Sequence, residues 1–213
     1  MGILSKSLTR IGEFIIFVFL SIIYTSIILL PIILINLLLK EVLIKYLLLF
    51  IPLIGLVGFS LEREFISIRE AYVNYRPYAK PYFRKVFTKD SLSKYLAYTL
   101  VFSLYFYSAD ALRILEKDMV IFGVVRIVLA FSLRNIIFYM ILQNAFRSRV
   151  DFLIGVKNSL ILTYKNLFYS IMVFAIWGIL EYLMVKNILW TYPFVIIMGL
   201  FGVLINEYSI KNL

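Results

Sequence analysis

Few residues in this chain have side chains suited to chemistry. It contains no His and no Cys, which excludes disulfides, thiol nucleophiles, Cys/His metal sites and imidazole bases. The 12 Asp and Glu are scattered, without the paired spacing that a hard cation requires. No glycine-rich phosphate loop, G-x-S-x-G or H-E-x-x-H occurs. The expectation is a protein that is not an enzyme and uses no cofactor and no metal. What stands out is Arg126 and Arg134 within one long apolar run, with Asp110 and Glu181 in other runs and Glu13 at the start of the first, at comparable depths. Asp110 or Glu181 is the expected partner of Arg126, and Glu13 that of Arg134. A charge in hydrocarbon costs roughly 2.5–3.5 kcal/mol on insertion scales, so these side chains must face protein or water. Two readings of this cluster stay open. One is a binding site for an anion, substrate or lipid headgroup; the other is a set of buried ion pairs that fixes helix register.

The elements that position such charges follow from composition. Of 213 residues, 63% are hydrophobic and 16% charged, and the mean hydropathy is +0.96. A soluble domain has roughly 45–50% apolar and about 25% charged residues. A chain this size cannot hide so much apolar surface in one water-soluble core, so lipid must be the solvent for most of it. A spanning helix needs about 20 apolar residues. Six runs approach this: Phe14 to Leu39, Val42 to Ser60, Leu96 to Leu115, Met119 to Gln143, Leu167 to Val185 and Ile188 to Asn206. The reading is one all-α transmembrane bundle over residues 1–213. It has six spans, or five if the second run, which holds Pro52, Gly55 and Gly58, is re-entrant. Polar stretches at about 61–95 and 144–166 are assigned to the cytoplasm. Lys186 and Asn187 are so short a connection that the last two spans must form a hairpin. Ser21 and Thr25, four residues apart, mark a face for close helix packing. Lys6 and Arg10 resemble a signal-peptide start, but the apolar run after them is too long and lacks a cleavage site.

The net charge of +10 is that of a membrane protein with basic inner loops, not of a nucleic-acid binder. On the six-span reading, fifteen Lys and Arg fall on one side and four on the other. That bias places both termini in the cytoplasm of a cell-membrane protein, with anionic lipid against the inner loops. Bases and rings alternate from Arg69 to Lys94, which suits a lipid interface. Pro77 and Pro81 interrupt any helix there, and Asp90 or Ser91 is suited to cap a new one. In the second inner stretch, Leu153, Val156, Leu160 and Tyr164 share one helical face. This is a short helix lying on the inner membrane surface, or a docking element for a partner. Trp177, Tyr182, Trp190 and Tyr192 form an outer aromatic belt.

The order of elements resembles a known family. Gly12-Glu13 opens the first run. The Pro-containing second run leads into Ser67-Ile68-Arg69-Glu70-Ala71, and Phe83-Arg84-Lys85-Val86-Phe87 precedes the third. Arg147-Ser148-Arg149-Val150-Asp151-Phe152 then leads into Val156-Lys157-Asn158-Ser159-Leu160. Nearly the whole chain thereby resembles the YesL family, small multi-pass proteins of low-GC Gram-positive bacteria. The resemblance implies an accessory or transport-related role in carbohydrate uptake, beside an ABC transporter, and it implies no catalytic residues. The alternative is a small transporter or channel with a polar site around Arg126 and Arg134. Glu70-Ala71 lacks the rest of the EAA loop that a standard ABC permease carries.

Overall fold

The structure, a computed structural model, describes residues 3–38, 47–73, 89–117, 119–147 and 151–210. Among them seven α-helices follow in order: α1 (Ile3–Leu38), α2 (Leu47–Tyr72), α3 (Lys89–Leu115), α4 (Ile121–Phe146), α5 (Phe152–Lys165), α6 (Leu167–Lys186) and α7 (Thr191–Ile205). A 3-10 turn, Ile188–Trp190, joins α6 to α7, and a π-helical turn, Asn206–Ile210, extends α7. Among the described residues, four stretches are long and apolar enough to cross a membrane: Gly12–Ile35, Ile121–Phe146, Leu167–Met184 and Thr191–Tyr208. The chain therefore fits a multi-pass membrane protein. Among the described residues neither α2 nor α3 reaches that measure, because every long window of α2 includes Glu62, Arg63 and Glu64, and α3 is rich in Tyr and Ser.

Both nevertheless run lengthwise in the bundle, and the side-chain pairs give its directions. Ser21 meets Glu64, and Phe17 packs with Ile68, so α1 and α2 are antiparallel. Arg63 meets Ser91 while Gly58 lies on Tyr98, so α3 reverses α2. Tyr98 bonds Asn144 and Tyr105 bonds Arg134, so α4 reverses α3. Tyr192 meets Ser26 and Val203 packs near Phe17, so α7 runs opposite to α1. The start of α1 and the end of α7 therefore lie at the same end of the bundle.

The main correction to the sequence reading is α2. The sequence predicts that the second run ends at Ser60, or is re-entrant, before a polar inner stretch. Instead one helix continues to Tyr72, and its middle is deeply buried. Leu61, Glu62, Glu64, Phe65 and Ser67 are all at 0–1% exposure. The apolar series Ile54, Leu61, Phe65 and Ile68, with Gly58 between, keeps helical spacing straight through the charges. Glycine lets neighbours come close: a Cβ on Gly58 would lie 2.9 Å from the Tyr98 ring, and one on Gly202 2.7 Å from the Phe65 ring. Within lipid, such close van der Waals contact is a main source of helix association. Ser21 and Thr25 are buried, at 0% and 1% exposure, on the packed side of α1.

The start of α3 also differs. Asp90 and Ser91 lie inside its first turn, not at its cap. The aromatic and basic stretch from Tyr75 to Lys85 lies outside the described residues. At α5, Asp151 is the N-cap, accepting from the Phe152 amide at 2.9 Å. Gly155, Ser159, Leu162 and Thr163 form its buried face. That face lies against α4: Gln143 Nε2 donates to Ser159 Oγ at 2.8 Å, and the Ser132 and Tyr164 hydroxyls are 2.9 Å apart. Thus α5 is held to the bundle by its small residues, and its larger apolar residues turn outward.

Candidate functional site

Two polar clusters sit inside the bundle. The first was missed by sequence reasoning. Successive residues of a helix point about 100° apart, so Glu62, Arg63 and Glu64 reach different neighbours. The Glu62 carboxylate accepts from Lys94 Nζ at 2.6 Å and from the Tyr98 hydroxyl. Lys94 also donates to the Asn144 carbonyl at 3.1 Å, and Asn144 Nδ2 donates to the Tyr98 hydroxyl at 3.0 Å. Arg63 bonds Ser91 at 3.4 Å and lies 4.7 Å over the Phe59 ring. Glu64 accepts from Ser21 at 2.7 Å. Beside Lys94 and Asn144 is a pocket of about 40 Å³, lined also by Ser93, Asp151, Phe152 and Gly155. Burial of charge is tolerable only when each group finds donors or acceptors, and this network meets that demand for Glu62. The cluster ties α2 to α1, α3 and α4. The available signal was the helical spacing of apolar residues on both sides of Glu62.

The second cluster contains Arg134, at the centre of α4. Its Nη2 bonds the Glu181 carboxylate at 2.6 Å, and its Nε donates to the Tyr105 hydroxyl at 2.8 Å. Tyr105 in turn donates to Glu181 at 3.1 Å. The guanidinium also lies 5.0 Å over Phe174. Nη1 looks over Gly178, where a Cβ would lie 3.2 Å away, into a lateral groove of about 560 Å³.

The expected pairings are thereby rearranged. Glu181 belongs to Arg134, not to Arg126. Arg126 pairs with Glu116 at 2.9 Å near the α3–α4 connection, and both side chains are over a third exposed. Asp110 and Glu13 are exposed on α3 and α1 and join neither arginine. The five residues expected to form one cluster thus contribute a single pair. The physical reason is the lean of helical side chains toward the helix N-terminus. Each long arginine reaches a partner nearer the start of α4 than its own Cα, whereas depth counted along the backbone assumed level projection.

No family model, no curated protein and no solved structure matches this chain. The site is read from its own geometry. Of the face expected on α5, Leu153, Leu160 and Tyr164 are exposed, at 73%, 42% and 55%, while Val156 is half-buried. Ile154 and Ile161 widen that face. Of the expected aromatic belt, Tyr182 and Trp190 are exposed, but Trp177 is buried between Phe102 and Phe194.

Proposed function

We propose that the protein is an integral component of the cell membrane with an accessory or transport-related role linked to carbohydrate uptake, the role that the YesL resemblance implies. On this reading it binds a membrane partner, such as an ABC transporter permease, and does not pass solute through its own interior. The supporting observation is the filled middle of the bundle. Phe65, Ile137, Tyr139, Val195 and Met198 are at 0% exposure, where a transporter would need a polar cavity. The exposed apolar face of α5 is the docking element in this proposal. Cytoplasmic termini fit the placement of both described chain ends at one end of the bundle, together with the excess of basic residues assigned there. Anionic lipid would then lie against the inner loops.

The test is purification of the native protein in mild detergent, paired with sugar uptake into proteoliposomes. The expected result is a sugar-importer permease in the eluate, reduced by Leu160→Asp, with no uptake by the protein alone. A second reading, a small transporter, draws support from Glu62 and Glu64 in the interior, since intramembrane carboxylates often belong to ion or proton paths. Solute or proton flux through the purified protein, lost in Glu62→Gln, would favour it over the accessory role.

A further inference from the structure

We infer that the lateral groove between α4 and α6 binds an uncharged, membrane-soluble ligand with a carbonyl oxygen, of the quinone class, through Arg134 Nη1. The groove is lined by Arg134 from α4 and by Phe174, Ala175, Gly178, Ile179, Tyr182 and Leu183 from α6. Its lining is apolar apart from the guanidinium and the Tyr182 hydroxyl. Nε and Nη2 of that guanidinium are committed to Tyr105 and Glu181. Nη1 has no hydrogen-bond partner among the described residues and borders the groove. Gly178 is what leaves it open, since a side chain there would cover it.

Three features of the site choose the ligand. Glu181 already balances the arginine charge, so an anion gains little, whereas a neutral acceptor oxygen satisfies the remaining donor. The Arg134 Cα lies at the midpoint of Ile121–Phe146, about 19 Å from either end at 1.5 Å per residue, and the side chain leans from there toward the start of α4, which still leaves the guanidinium below the interface. Phospholipid ester carbonyls are tied to headgroups at the interface and do not reach that depth. An uncharged quinone head can enter the hydrocarbon. Phe174 and Tyr182, two turns apart on α6, line the groove with aromatic rings; a cation lies over one face of each, Arg134 over Phe174 and Lys186 over Tyr182, and a flat ring can stack on the other. The hydrocarbon tail then lies along Ile179 and Leu183.

The test uses the full chain in nanodiscs with a decyl-substituted benzoquinone as probe. Trp177, adjacent to Gly178, reports binding by fluorescence quenching once Trp190→Phe removes the other tryptophan. Saturable quenching is expected. Gly178→Leu, which fills the groove beside Arg134, should weaken apparent affinity by about tenfold or more, equivalent to about 1.4 kcal/mol. Quenching that rises linearly with quinone and is equal in both proteins would overturn the inference. Equal displacement of the probe by a diacylglycerol would assign the groove to lipid esters and overturn the quinone assignment. Partner recovery through α5 is measured separately, so failure here leaves the accessory role to its own experiment.

Discussion

Arg134 and Arg126 have the same chemistry and sit eight residues apart on one helix, yet their surroundings give them different weight. The Arg134 side chain is 15% exposed and Glu181 25%, with Tyr105 closing the triangle. Arg126 and Glu116 are 37% and 36% exposed at the rim. Removing one partner of a buried pair costs about 3–5 kcal/mol, whereas a surface pair is worth about 0–1 kcal/mol. Arg134→Ala should therefore lower the melting temperature in detergent markedly, and Glu181→Ala on that background should recover part of the loss. Arg126→Ala should be close to neutral. Equal destabilisation by the two arginine variants would show that the exposure difference is irrelevant. The sequence made both arginines conspicuous but could not rank them, because side-chain lean and the course of the neighbouring helix decide the partner. Glu62 was hidden for a related reason. Three charges in a row look like a loop until partners on α1 and α3 come into view.

Helix identity was easier to read than helix role. The expected ends of α6 fall within a residue of those observed, because Asn166 and Lys186 punctuate the apolar run. The packing side of α5 was not legible from hydrophobicity. Its buried face uses Gly155, Ser159 and Thr163, and lets a hydrogen-bonding Gln143 approach. In lipid, small residues mark the helix contact, while large apolar ones are free to face acyl chains. Ser159→Leu should accordingly destabilise by about 1–3 kcal/mol through overpacking, measured by thermal unfolding in detergent, while Leu153→Ser on the outward face should change stability little. Gly58→Leu should behave like Ser159→Leu, since a side chain there meets the Tyr98 ring. The idea of small-residue faces fails if Leu153→Ser proves the more harmful change.

At the scale of the whole molecule, the alternation of helix directions brings both described chain ends to one end of the bundle, and α2 must cross the bundle to achieve it. The sequence reading reached the same end-to-end arrangement while placing residues from Leu61 onward in the cytoplasm. The two views differ most at Ser67, which is 0% exposed within the bundle but belongs to an inner loop on the sequence reading. A chain without native Cys makes the difference measurable with single-cysteine variants and a membrane-impermeant maleimide. Tyr208→Cys, at an exposed site after α7, should label only from the cytoplasmic side. Lys117→Cys, at the α3–α4 connection, should label only from outside. Ser67→Cys should resist labelling from both sides until the protein is unfolded, because the residue is enclosed by neighbouring helices and not bathed by water. Rapid labelling of Ser67→Cys from the cytoplasm would restore the loop assignment and remove α2 from the bundle. Labelling of Tyr208→Cys and Lys117→Cys from the same side would break the alternation itself, since α4, α6 and α7 together reverse direction between those two positions.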